Sequence, residues 1–321
     1  RRFGRLNRES FDGFDWLLPP RRPRGLRRMA RYVDFSRLEY VSTAVALVMT
    51  AEFDRLRVLL DSVPPAVELD RWHNGVFTKL NEIGFFENIG LLDELEDKFN
   101  TTGDVRTLKV TSGKNAAELE EVSKKITELC EFLDVQDEVM KEKIFDLNTA
   151  LGEAMINVAR NAYPAYHQFD SRHVSKWWVT ASVDRSERLL KVAIYDQGAS
   201  IPITYPRKRR LVAIKEAVAK PISGSPRFAF DSDGTYIHEA MQPAATQTDE
   251  PHRGKGLPEM REIVDALGDA SMIIYSRGGI CEYDGNKFDS RSQEYSVGGT
   301  LIEWTLRFSP EEQNADREAR H

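Results

Sequence analysis

Cysteine is nearly absent from this chain. The two in 321 residues, Cys130 and Cys281, lie far apart and lack the short spacing of metal ligands. A disulfide framework is therefore not expected, and a reducing, cytoplasmic compartment is. Long apolar runs are missing too. No stretch approaches the length of a membrane span, and the first residues hold no apolar core of a secretion signal, so a soluble chain without a membrane segment is expected. A large charge of one sign is also lacking: 45 Lys and Arg face 51 Asp and Glu, for a net −6. That balance argues against a globally basic nucleic-acid binder. What is present is enough apolar content, 41%, for a real core, and enough length for two domains of ordinary size.

The charge is uneven. Residues 1–31 carry ten arginines against three acids, with three prolines and no clean period. Residues 1–29 read as a basic arm, either a mobile tail or one docked on a partner or another subunit, and Phe3, Phe11, Phe14 and Trp16 favour docking. Nucleic-acid contact through the arginines is the less favoured reading. From 30 to 104 the texture is that of a small α/β module. ARYVDFSRLEYV alternates as a strand does, STAVALVMTAEFDRLRVLLDSV has a helical period, and GVFTKLNEIGFFENI reads as a further short helix. A second domain spans 105–308. It opens with a strand (VRTLKV) and an amphipathic helix (NAAELEEVSKKITELCEFLDV). KWWVTASVD and RLLKVAIYD follow as a hairpin, and SMIIYSRGGICEYDG and GGTLIEWTLRF close it. Residues 204–252 are long, polar and broken by Pro and Gly, the texture of a lid. The tail 309–321 has no core-forming residues and is expected to be disordered.

Four elements within 105–308 carry chemistry. In ALGEAMINVARNAYPAYHQF, Glu153 and Asn157 lie one turn apart on one helical face, continued by Arg160 and Asn161, while Leu147, Leu151, Ala154 and Val158 bury the opposite side. A carboxylate, a carboxamide and a guanidinium aimed at one spot suit a cation and a phosphate chain. A solvated polar face fits these residues equally well when they are taken alone. The strand VAIYD ends at Asp196 and runs into Gly198 and Ile201, placing an acceptor beside a point of close backbone approach. Arg253, Gly254, Lys255, Gly256 and Leu257 open a helix whose N-terminal amides and cationic side chains suit an anion. Gly298-Gly299-Thr300 starts the last strand.

In that order the four elements resemble the GHKL (histidine kinase-like) ATPase superfamily, nearest its anti-sigma-kinase branch, over roughly 105–308. The resemblance implies an α+β fold of Bergerat type, a sandwich with helices on one face of a mixed sheet, and implies ATP and Mg²⁺ as cofactors. By position, Asn157 would ligate Mg²⁺ and Glu153 would be the general base. Arg160 and Asn161 would lie at the phosphates, with Arg253, Gly254, Lys255, Gly256 and Leu257 holding them under the lid. Asp196 and Thr300 would read adenine, directly and through water, Gly198 would allow close approach to the base, and Ile201 would join them in the nucleotide site. The family pattern has a second glycine where this chain has Ser200, a departure that bears on binding. Residues 30–95 resemble the STAS family in their order of elements. The usual phosphoacceptor position is occupied by Ala44, so a scaffold packed on its neighbour is favoured over a phospho-switch.

Residues 106–152 contain no histidine, which argues against histidine autophosphorylation. The resemblance then implies an ATPase acting as a nucleotide-driven switch for an effector protein encoded nearby, with a homodimer closed by ATP as one form. A serine/threonine protein kinase of the anti-sigma type and a non-hydrolysing, ATP-dependent scaffold are the alternatives.

Overall fold

The computed structural model describes residues 34–60, 69–88, 90, 99–133, 137–169, 172–208, 230–242 and 256–308. The basic arm at 1–29, the tail at 309–321 and residues 253–255, expected to hold an anion, lie outside them. Nine strands form one sheet: β1 (Phe99–Thr102), β2 (Val105–Leu108), β3 (Thr111–Gly113), β4 (Trp177–Asp184), β5 (Leu189–Asp196), β6 (Ala270–Ser276), β7 (Gly279–Tyr283), β8 (Phe288–Ser292) and β9 (Thr300–Arg307). Their order is β1-β2-β4-β5-β9-β6-β7-β8, with β3 also paired to β4. The helices are α1 (Thr43–Leu60), α2 (Asn74–Glu82), α3 (Phe85–Asn88), α4 (Leu119–Cys130), α5 (Asp137–Asn157), α6 (Ile201–Lys208), α7 (Asp233–Met241) and α8 (Gly256–Leu267). Mixed helix and antiparallel sheet make this an α+β protein.

Every strand pairing among the described residues is antiparallel. That corrects the mixed sheet implied by the resemblance. The turns joining β4 to β5, β6 to β7 and β7 to β8 are too short for a parallel crossover, and β9 inserts between β5 and β6 with its direction opposed to both.

Helices cover both faces, those of 105–308 (α4, α5, α7 and α8) on one and those of the preceding segment (α1, α2 and α3) on the other. Along β5, Leu190, Val192 and Ile194 point into a core under α4, α5 and α8. Ala193 and Tyr195 point the other way, into a second core formed with α1, α2 and α3. A sheet apolar on both sides needs a layer on each, and α1 supplies Val45, Leu47, Met49 and Phe53 to the second. Ser42 caps α1, its hydroxyl accepting from the Val45 amide at 3.2 Å. Asp54, nearly inaccessible in α1, ties the layers together by accepting from Trp178 Nε1 and Lys176 Nζ, each at 3.0 Å. Burial alone would raise its carboxyl; the donors from Lys176, Trp178 and Arg57 win and hold it below its ordinary range.

Three further expectations change. Residues 34–42, the described part of the expected strand, are irregular with a turn at 36–37, where the Asp34 carboxylate accepts from the Ser36 amide at 2.8 Å and Leu38 bonds back to Phe35. The boundary placed between 104 and 105 falls inside the β1–β2 hairpin, where Thr102 faces Val105. The segment before it is thus one layer of the same sheet structure. Finally, part of the expected lid at 204–252 is a fixed helix. Ile237 and Met241 of α7 sit in the first core, and buried Asp233 at its start accepts from the Gly278 amide at 3.0 Å. Residues 209–229 and 243–252 of that span lie outside the described residues.

Candidate functional site

Directly opposed residues of antiparallel strands share a face, so the register places Trp177, Asp196, Thr300, Ser276 and Gly279 in one row across five strands. The preceding row on that face is Val179, Ile194, Ile302, Ile274 and Cys281, all buried and apolar. The first core therefore ends abruptly in a carboxylate and two hydroxyls. Thr300 Oγ1 and Ser276 Oγ lie 2.8 Å apart, and Ser276 Oγ accepts from the Ile201 amide at 2.9 Å.

Helix α5 runs to this edge. Leu147, Leu151, Ala154 and Met155 bury its inner side, leaving Glu153 and Asn157 half-buried on another. The helix then widens into a π turn, Val158–Ala162, a distortion frequent at functional sites. Arg160 is exposed in that turn. Asn161 Nδ2 donates to Asn157 Oδ1 at 3.1 Å. At the end of the turn the Ala162 carbonyl accepts from the Ala199 amide at 2.7 Å. Gly198 lies so close that a Cβ there would stand 2.5 Å from both the Ala162 oxygen and the Ala162 Cβ. The glycine serves a close approach by the chain's own backbone, where the resemblance implied a ligand.

Gly256, the first residue of α8, abuts the Glu153–Asn157 pair. A Cβ on Gly256 would meet Asn157 Nδ2 at 2.5 Å and Glu153 Oε2 at 3.2 Å. The amide-rich start of α8 thus faces the pair directly. The α8 start therefore meets α5 at Glu153 and Asn157, and the Asp196 loop meets the π turn that follows it, at Ala162.

Two carboxyls at this edge are displaced upward. Burial raises Glu153 above its ordinary range, the nearby Glu259 of α8 raises it further, and Arg160 pulls it back. Burial pushes Asp196 up to about 7, against the pull of hydrogen bonds from the Gly198 and Thr300 amides; the Gly198 bond is 2.7 Å. Tyr163, also displaced upward, mainly by burial, braces the loop: its hydroxyl donates to the Lys176 carbonyl at 2.6 Å and accepts from the Gln197 amide at 3.1 Å.

The structure thus brings together Glu153, Asn157, Asn161 and Gly256 at one end, and Asp196, Gly198, Ile201 and Thr300 at the other. Ile201 enters through its amide. Leu257 is half-buried, its side chain packed on the first core. Arg253, Gly254 and Lys255 lie outside the described residues. Ser276 and Gln197 carry no motif of their own, and Tyr163 follows the Asn helix without an evident role in the sequence. Gly299 matters through contact alone, since a Cβ there would fall 1.8 Å from the Asp196 carbonyl oxygen.

Ser200, at the position of the missing glycine, has φ +73°, a left-handed conformation costing about 1–2 kcal/mol for a side-chain-bearing residue. Its hydroxyl donates to the Gly299 carbonyl at 3.1 Å, which returns about 1 kcal/mol. Ser200→Ala keeps the strain and loses the bond, so it should lower stability by about 1 kcal/mol. Ser200→Gly exchanges one for the other and should stay within about 1 kcal/mol of the parent protein. Urea denaturation midpoints of the two variants check this. No protein-family model matches the chain, and no curated protein matches it either.

Proposed function

We propose that the chain is a Mg-ATP-binding ATPase of the GHKL type, working as a nucleotide-driven switch for a partner protein. One observation carries the reading: an apolar sheet face ends in the polar row Asp196–Thr300–Ser276, while the helix above it aims Glu153 and Asn157 at the start of α8. The antiparallel sheet departs from the mixed sheet that the resemblance implied. The reading therefore rests on the site and not on the fold.

The residues fit the groups such a reaction needs. Asn157 Nδ2 is buried without a partner among the described residues and faces Gly256. Half a turn of the Asn157 and Asn161 carboxamides keeps their mutual hydrogen bond and presents Asn157 Oδ1 there instead. One neutral oxygen suits Mg²⁺, which keeps several waters and takes its remaining ligands from phosphates. Among the described residues, no group of three His, Cys, Asp or Glu side chains is placed to hold a metal without them. Asn157 would hold the cation, which when bound neutralises phosphate charge. The amides at the start of α8 and the Arg160 guanidinium would receive the phosphates. Asp196 and Thr300 would meet the base. Glu153, kept basic by its surroundings, would take the proton of the attacking water.

Incubation with γ-labelled ATP and Mg²⁺ tests the activity. Released phosphate supports the ATPase, label on a partner protein replaces it with a kinase, and binding without either leaves a scaffold. For the site, Asn157→Ala should weaken Mg-dependent nucleotide binding about 100-fold, the upper end of what loss of even a ligand's supporting partner costs. Unchanged affinity in a calorimetric titration would sink the assignment.

A further inference from the structure

We infer that Ser276 sets which nucleobase the site accepts, by fixing the direction in which the Thr300 hydroxyl donates. The inference rests on the nucleotide reading above and adds a residue to it. Ser276 Oγ is fully buried. It accepts from the Ile201 amide at 2.9 Å, and it lies 2.8 Å from Thr300 Oγ1. One of the two hydroxyls must donate to the other. Among the described residues, Thr300 Oγ1 is the acceptor Ser276 has for its own proton. Were Thr300 the donor, the Ser276 proton would be stranded in the core, at a cost of about 1–3 kcal/mol, whereas Thr300, 8% exposed against 0% for Ser276, lies at the rim, where a ligand or water can take its proton. Ser276 therefore donates, and the chain of bonds runs from the Ile201 amide through Ser276 to Thr300.

Thr300 is then left with a proton of its own and no acceptor among the described residues. Beside it in the row stands Asp196, which has both carboxylate oxygens for accepting and no proton to give when ionised. The row accordingly offers one acceptor next to one donor, in fixed order. The base edge that complements it carries an amino donor next to a ring-nitrogen acceptor, as adenine does. Hypoxanthine and guanine present a carbonyl oxygen and a ring N–H at the same positions, two mismatches at once. A Thr300 hydroxyl free to rotate would offer a lone pair as readily as a proton and would lose half of this discrimination. Ser276 is thus a positioning residue for base selectivity, acting through Thr300.

The test is the ratio of ATP to ITP affinity in the presence of Mg²⁺, since the two nucleotides differ at this edge alone. Ser276→Ala should narrow the ratio about tenfold, the equivalent of one hydrogen bond, by strengthening ITP relative to ATP. In a Thr300→Val background the same substitution should leave the ratio unchanged. Ser276→Thr, which keeps the hydroxyl, should keep the ratio of the unsubstituted protein. Ser276→Cys, close in size and a weak donor, stands in if the alanine variant does not fold, and should narrow the ratio in the same direction. An unchanged ratio in whichever of these two variants folds overturns the inference while the nucleotide reading survives. A folded, unsubstituted protein that binds neither nucleotide overturns both.

Discussion

Replacing Glu153 by glutamine is expected to leave ATP affinity within about threefold and to cut phosphate release by about 10²–10⁴-fold, the range of a positioned general base. The side chain lies on the face of α5 that meets the first residue of α8, so glutamine fills the same space and keeps a hydrogen-bonding oxygen. What it cannot do is take a proton. Burial and Glu259 raise the Glu153 carboxyl, and Arg160 moderates the rise. That combination makes a stronger base than an exposed glutamate. Binding titrations alongside steady-state phosphate release separate the two roles. Full turnover in the glutamine variant removes Glu153 from the chemistry. A collapse in affinity would instead make the carboxylate a binding group.

The sequence carried the parts of this site that lie along one element and little of what lies between elements. The four-residue step from Glu153 to Asn157 is a helix property, and the apolar spacing of Leu147, Leu151 and Ala154 says which side is buried. The hairpin from Trp177 to Asp196 is likewise local, two β-rich runs around a short turn. Thr300 opposite Ser276 is another matter, because register across β6 and β9 depends on how β9 enters the sheet. The second helical layer was hidden for a related reason. Val45, Leu47, Met49 and Phe53 announce a buried helix, but nothing in them names the sheet face they cover. Alternation misled at 34–42, where a carboxylate bonding to its own backbone outweighed a two-residue period. Polar texture misled at 233–241, where Asp233 is buried and bonded to the β6–β7 turn. Gly198 was marked as a place of close approach, and it is one; the visitor is Ala162.

Asp196→Asn should make the protein more stable at pH 8 and at the same time remove most of its nucleotide affinity. Burial displaces this carboxyl from 3.8 to about 7, so in the folded protein its ionised form is disfavoured by roughly 4 kcal/mol. Below pH 3.8 both folded and unfolded chains are protonated there and no cost arises. Between 3.8 and 7 the folded chain binds the extra proton, so stability falls as pH rises. Above 7 the whole cost is present. Asparagine is neutral throughout and can still accept from the Gly198 and Thr300 amides. Its advantage over aspartate should therefore open by a few kcal/mol between pH 5 and pH 8, read from urea denaturation at the two values. Its side-chain amide cannot serve as a full acceptor for an amino group, and loss of a hydrogen bond to a charged partner, about 1.5–3 kcal/mol, weakens binding roughly 10–100-fold. A variant less stable at both pH values would make Asp196 a staple for its own loop. A variant that gains stability and loses ligand would show a buried charge kept at the expense of stability, which is the trade a binding site makes.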